Sequence, residues 1–358
     1  MEETPSLIIR NGTVIDGSGS QRYEADIEIT GSKITHIGES HKKGKSEIDA
    51  SNRIITPGFV DIHTHYDAQV TWANQITPSS CNGVTTVLMG NCGVGFAPVK
   101  PDQHEMLISL MEGVEDIPEV VLSEGLPWTW ETFSDYLNTL DKRRFDVDVA
   151  TQVPHAALRV YVMGKRGADR EPASADDRAR MAELAAEGIK AGAFGFSTSR
   201  LLQHRTAEGE PIPSYGAAEE ELQEIAKAIS EIGRGWLQVV ADFGESQETE
   251  FSMLKRLVET SGLPLTLTLL QRDSWPNEWS ELLKKIEAAN SEGHLITGQI
   301  RGRPTSTLLG FELSENPFLG CPSWSEVADL DIASKFKALS DPAFKQRLIN
   351  EPGGTKEQ

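Results

Sequence analysis

A chain of 358 residues with 54 acidic and 34 basic side chains has a formal charge of −20, which argues against non-specific nucleic-acid binding; no basic stripe with interleaved aromatics offsets it. Hydrophobic residues at 38% and charged residues at 25% are ordinary globular proportions, neither disordered nor fibrous. The longest apolar runs, such as 263–270, have strand length, and MEETPSLIIRNG lacks the parts of a signal peptide, so a cytoplasmic protein with no membrane partner is expected. Cys81, Cys92 and Cys321 are odd in number and widely spaced, which is no disulfide framework and suits the reduced cytosol.

Residues 1–56 read as a small antiparallel β unit. Leu7-Ile8-Ile9 runs into a turn at Asn11-Gly12, Thr13-Val14-Ile15 into Asp16-Gly17, and alternation resumes over 25–29 and 34–37 around Gly31-Ser32-Lys33. Such a unit buries little alone and must pack on something else. From Ile54 the pattern changes to apolar strands, at 54–62, 84–89, 147–153, 193–198, 236–241, 263–270 and 295–300. Helices are expected at 176–191, 219–232 and 248–261, closed by Gly192 and Gly262 where the first and last end. Near-continuously apolar strands alternating with helices predict a parallel sheet covered by helices. Helices are also expected at 323–330 and 332–350, before a loose polar tail. Seven strands are found where a closed (β/α)8 barrel needs eight, so the sheet is open or residues 57–358 are an incomplete barrel belonging to a longer protein.

The strongest chemical signal is Thr56-Pro57-Gly58-Phe59-Val60-Asp61-Ile62-His63-Thr64-His65. Side chains two apart in a strand share a side, so His63 and His65 at a strand end can converge on one divalent cation. A bare His-x-His is more often a pair of loop histidines; the strand, the Pro-Gly lead-in and Asp67 favour the metal reading. The second strand closes on Gly90-Asn91-Cys92-Gly93, placing a zinc-suited thiolate at a neighbouring strand end, against the simpler reading of Cys92 as a packed core residue.

Together, Pro-Gly-Phe-Val-Asp-Ile-His-Thr-His at 57–65 and Gly-Val-Thr-Thr-Val-Leu-Met-Gly-Asn-Cys-Gly at 83–93 resemble the amidohydrolase superfamily, and more narrowly the N-acyl-D-amino-acid deacylases. The segments 7–19, 153–159 and 188–198 share the likeness, which runs from about residue 6 to 340. The resemblance implies a TIM-type (β/α)8 barrel with a small β-sandwich built from both chain ends. It implies one or two divalent metal ions, zinc above all, and hydrolysis of a non-peptide amide by a metal-bound hydroxide with a strand-eight Asp as general base. It makes His63, His65 and Cys92 metal ligands. Histidines usual in the family at the ends of strands five and six are absent; Asp242 and Gln271 stand in their places, the first as a candidate ligand, the second as a pocket residue. Asp331 and Asp341 sit at helix starts, where capping explains them better than catalysis.

For a carboxylate-bearing N-acyl amino acid, arginines at strand ends are the natural anion partners: Arg159, Arg200, Arg205, Arg301 and Arg303, with Arg301-Gly302-Arg303 the best pair. Each is otherwise an ordinary salt-bridge partner. His204 stands with these arginines, and Ser197 and Ser199 offer hydrogen bonds at the same mouth; His155, ending strand three, is a candidate ligand or oxyanion donor against the simpler reading of a satisfied strand-end histidine. Trp128, Trp130 and Phe133, in a long insertion between strands two and three, form either a lid or simple packing. Beside the hydrolase stand two other expectations: a non-catalytic subunit of the same fold, and an N-terminal portion of a longer or split enzyme whose C-terminal part completes the barrel; a homo-oligomer is a separate expectation.

Overall fold

The computed structural model describes residues 3–272, 275–302, 309–313 and 316–351. The chain divides into two compact units, Met1–Val60 with Pro78–Thr86, and Asp61–Thr77 with Val87–Gln358.

The first unit holds a five-stranded sheet of β1 (Leu7–Val14), β2 (Tyr23–Thr30), β3 (Lys33–Gly38), β4 (Glu47–Asp49) and β5 (Ile54–Ile55). The order is β3-β2-β1-β4, with β5 also on β1. β1, β2 and β3 are antiparallel, whereas β4 and β5 run parallel to β1. Asn11-Gly12 was expected to reverse the chain and does not. It is a bulge inside one continuous strand, where the register shifts between Ile9 and Gly12 and Asn11 sits at φ 60°. A neighbour contributes: a Cβ at position 12 would lie 2.2 Å from Ile55 Cδ1, so a larger residue there would displace the Ile55 side chain on β5. Val14, Ala25 and Ile27 form the small core, with Ile9, Ile29 and Ile55 packed against it. One sheet is therefore described where a sandwich portion was expected.

The strands that follow are β6 (Phe59–Asp61), β7 (Val84–Met89), β8 (Asp148–Thr151), β9 (Val153–Pro154), β10 (Phe196–Arg200), β11 (Leu237–Ala241), β12 (Leu265–Thr268) and β13 (Ile296–Gln299). They make a three-stranded sheet, β6-β7-β8, and a five-stranded parallel sheet, β13-β12-β11-β10-β9. The predicted third strand is thus split between two sheets. Gln152 is the pivot: its N–H donates to Met89 O at 3.0 Å, while Val153 N–H donates to Gly195 O at 2.8 Å. The expected strands appear in the expected order, the first, 54–62, broken into β5 in the first sheet and β6; among the described residues the ladders stop at β6 and β13, so they do not form a closed barrel.

The helices that cover the parallel sheet follow their sequence signals. Ser174 and Asp177 form a capping box for Ala175–Ala191, Glu219–Ser230 starts with three glutamates, and Gly262 at φ 68° ends Gln247–Ser261. The helix expected at 332–350 is broken into Ile332–Ser340 and Pro342–Asn350, because Pro342 has no N–H to continue a ladder and Asp341 starts a new cap. The helix expected at 323–330 is only a short 3-10 segment, Pro322–Glu326. Between β7 and β8 lie three helices that the composition did not announce, His104–Glu115, Glu119–Gly125 and Phe133–Asp141. Trp128, Trp130 and Phe133 fix this insertion and are not a lid. Trp130 is buried and donates to Phe96 O at 2.7 Å, and Trp128 stacks on His104 at 3.8 Å. Among the described residues no helix is long and apolar enough to cross a membrane.

Candidate metal centre

β6 ends at Asp61, and the buried Thr64 anchors the segment that follows. Both its N–H (3.0 Å) and its hydroxyl (2.8 Å) donate to Leu88 O, next to the end of β7. Alternation then sends His63 and His65 to the other side. Asn91 ties the same ends together, donating to Thr64 O at 3.2 Å and Leu88 O at 2.9 Å, while Gln152 donates to Asn91 Oδ1 at 2.9 Å.

Cys92 follows with a left-handed backbone, φ 57°, which a non-glycine residue holds only when its surroundings impose it. Those surroundings come from two other strands. Cys92 N–H donates to Gln238 Oε1 at 2.9 Å, and Gly93 N–H to Ser197 Oγ at 3.0 Å, while the Ser197 hydroxyl donates to Gly90 O. The thiol so placed lies 3.1 Å from His63 Nε2. His63, His65 and Cys92 offer three donor atoms within 4.8 Å of one another.

The electrostatics suit a cation. Burial holds both imidazoles neutral, with His63 lowered and His65 lowered well below its usual value, the latter also by its neighbours His63 and His204. Burial, reinforced by Glu115 and Asp67, pushes the Cys92 thiol up. Asp67 is raised to about 7 by burial; Glu115 is raised to about 8 by burial and then by Asp67 and Asp116. Two buried atoms, His65 Nδ1 and Asp67 Oδ2, have no hydrogen-bond partner, and buried polar groups without partners are costly. Soft sulfur with two neutral imidazole nitrogens, beside carboxyl groups and an orphaned nitrogen, is a donor set that fits a divalent transition metal.

The other residues singled out from the sequence are distributed unevenly. Arg301 acts on this cluster as an opposing charge, moderating both Cys92 and Glu115. His204 also belongs to the neighbourhood: its Nδ1 is 2.9 Å from Ser199 Oγ, and burial with the adjacent His63 takes it to about 4. Arg303 lies outside the described residues. Asp242 is not in the donor cluster; its carboxylate accepts from Leu202 N–H at 2.7 Å. Gln271 is exposed beyond the end of β12.

Three residues singled out as candidate substrate contacts are engaged by other groups of the chain, His155 in line with its simpler reading as a satisfied histidine. Ser197 is wholly buried in the Gly90–Gly93 turn. His155 is buried with Nδ1 2.8 Å from Thr198 Oγ1 and Nε2 2.6 Å from Glu221 Oε1. Arg159, also buried, gives Nη1 to Glu221 at 2.5 and 2.6 Å and Nη2 to Glu171 O at 2.7 Å. Arg200 is likewise engaged, by Glu250 at 2.7 Å. Asp331 and Asp341 are helix caps, as expected, accepting from Ala333 and Ser334 N–H and from Phe344 N–H.

Sequence reasoning missed three groups at the site. Gln299 at the end of β13 places Oε1 2.8 Å from His63 Nδ1, Gln238 receives Cys92 N–H, and Glu115 places Oε1 3.3 Å from His65 Nε2. The signals existed. Gln238 and Gln299 are amides inside apolar strands, and Glu115 is an acid in the last turn of a helix, where the dipole disfavours it.

The chain is similar to several known proteins. D-aminoacylase of Alcaligenes xylosoxydans xylosoxydans is 31% identical over 287 residues, 79% of this chain and 54% of that protein. N-acyl-D-aspartate deacylase of the same organism is 28% identical, covering 97% and 70%. A D-aminoacylase crystal structure superposes with a TM-score of 0.70 at 26% identity over 98% of this chain and 70% of that one. A second, reported for the role of its binuclear metal center, gives 0.69 at 28% identity over 84% and 59%. The chain spans just over half the length of the first of these relatives. The amidohydrolase family model matches residues 46–350, and the chain belongs to the amidohydrolase family.

Proposed function

We propose that this chain carries the metal centre of an amide hydrolase acting on N-acyl amino acids, with zinc held by His63, His65 and Cys92. The observation that carries the reading is the convergence of these three donors within 4.8 Å at the ends of two strands, with His65 Nδ1 buried and unpartnered. A bound divalent cation would supply Lewis acidity toward an amide carbonyl. The chain's own groups do the rest. Gln299 orients His63, the Gly90–Gly93 turn presents the thiolate, and the neutral imidazoles keep their lone pairs available. Arg301, a basic group acting on both Cys92 and Glu115, is suited to a substrate carboxylate, in line with relatives that act on N-acyl-D-aspartate and N-acyl-D-glutamate. A second reading has a specific observation behind it. Asp331 and Asp341 cap helices and so are not available for the strand-eight role, which favours a chain that binds metal yet needs a complementing part for turnover.

The test is metal analysis of the purified chain with a hydrolysis screen over N-acyl D- and L-amino acids. Stoichiometric zinc with turnover supports the hydrolase. Zinc without turnover supports the second reading, and a chain that neither carries nor takes up zinc refutes both.

A further inference from the structure

A metal-ligating histidine gives one ring nitrogen to the ion and needs its other N–H held by an acceptor, which fixes both tautomer and ring orientation. His63 shows how this works in the chain. Nε2 faces Cys92 Sγ at 3.1 Å and Nδ1 is 2.8 Å from Gln299 Oε1, so Nε2 is the nitrogen left for an ion. His65 is arranged the opposite way round. Its Nδ1 is buried without a partner, whereas Nε2 lies 3.3 Å from Glu115 Oε1.

Glu115 is an unusual acid. It ends the His104–Glu115 helix, where the dipole disfavours a carboxylate, and Asp116 follows it directly. Its ion-pair partner among the described residues is His65. The helix end is also held in place. Gly113 packs so closely on the 205–207 segment that a Cβ there would lie 2.2 Å from Thr206 C and 2.3 Å from Arg205 O. The long insertion between β7 and β8 thus delivers one carboxylate to one imidazole.

We propose that Glu115 is a positioning residue of the metal centre: it accepts Nε2–H of His65 and thereby turns His65 Nδ1 toward the ion. This rests on the proposed metal site and adds to it. The two histidines would then bind through different nitrogens, and the insertion would be needed for metal affinity without providing a ligand.

The experiment compares zinc and cobalt(II) binding by the whole chain, by Glu115→Ala and by Glu115→Gln, with circular dichroism confirming that each folds. The expected result is a fall in affinity of about 10–100-fold for Glu115→Ala, the range for losing such a second partner. Glu115→Gln should lie between, because its amide oxygen still accepts from Nε2–H. All three should keep the same cobalt d–d spectrum and the cysteine-to-cobalt charge-transfer band. In the unaltered zinc-loaded chain, histidine-selective 15N NMR should show His65 metal-bound at Nδ1 and protonated at Nε2, a measurement that needs no stable variant. Unchanged affinity in Glu115→Ala, or His65 bound through Nε2, would overturn the proposal while leaving the metal site intact. A changed d–d spectrum would make Glu115 a direct ligand and also overturn it. If the unaltered chain binds no metal, the underlying reading fails, and this proposal with it.

Discussion

The buried group around Glu221 permits a quantitative test that does not involve the metal. Glu221 (1% exposed) receives Arg159 Nη1 and His155 Nε2, and His155 passes the network on to Thr198 Oγ1 in β10. Changing Glu221 to Gln preserves volume but strands the Arg159 guanidinium, itself 2% exposed, without a counter-charge. Breaking a buried pair from one side costs about 3–5 kcal/mol, because the surviving charge is left desolvated. At about 2.1 cal/mol/K per residue, a chain of 358 residues shifts by about 1.3 °C per kcal/mol, so the melting temperature should fall by about 5 °C. Thermal denaturation followed by circular dichroism at neutral pH measures this directly. The further change Arg159→Met in the Glu221→Gln background removes the stranded charge and should recover about half the loss. The reasoning fails if Glu221→Gln melts within about 2 °C of the parent, or if the double variant is no more stable than the single.

The same network sets an acid limit. Burial would raise the Glu221 carboxyl, but His155 and Arg159 outweigh it and hold it at about 2 against the usual 4.5. A depressed carboxylate contributes stability above pH 4.5 that disappears as pH falls toward 2, here about 3 kcal/mol. His155, lowered chiefly by burial, adds to the loss from pH 6.5 downward. Urea midpoints measured from pH 7 to 3 should decline steadily, and Glu221→Gln should flatten the carboxylate part of that decline. At the site, Ser197→Ala leaves Gly90 O and Gly93 N–H without their shared partner, a loss of about 1–3 kcal/mol. Cobalt titration should show weakened binding with the thiolate band retained, whereas an affinity equal to the parent's would show that the turn holds Cys92 by other means. Asp242→Asn should leave zinc affinity within about twofold, because its carboxylate serves Leu202 N–H. A larger loss by calorimetry would return Asp242 to the ligand set.

How far the sequence could be read follows from which forces are local. Val84–Met89 was found to the residue, because an apolar run bounded by Gly83 and Gly90 admits one interpretation. His63, His65 and Cys92 were legible for a similar reason: strand alternation and strand-end glycines act over a few residues. Asn11-Gly12 was misread because a hairpin and a bulge use the same left-handed backbone, and only the distant Ile55 side chain decides between them. Ser197 lies inside β10, and His155 and Arg159 lie on the helix His155–Met163 rather than at strand ends; their partners Gly93, Glu221 and Glu171 come from other elements. Whether a polar side chain faces substrate or a buried counterpart is a tertiary fact. Glu115 was invisible for the same reason, being brought to His65 by helices that no period in the insertion announced.

The left-handed backbone of Cys92 bears on how this position can drift. At φ 57° a cysteine is less comfortable than glycine or asparagine, by about 1–2 kcal/mol against glycine. Conformational preference therefore pulls against the thiol there, and the proposed metal role would be a reason to keep it. In a lineage that abandoned the chemistry, this residue would be among the first to relax, to glycine or asparagine, while the strands around it stayed as they are. A glycine or asparagine at that turn in an otherwise similar chain would then mark a centre that has been given up.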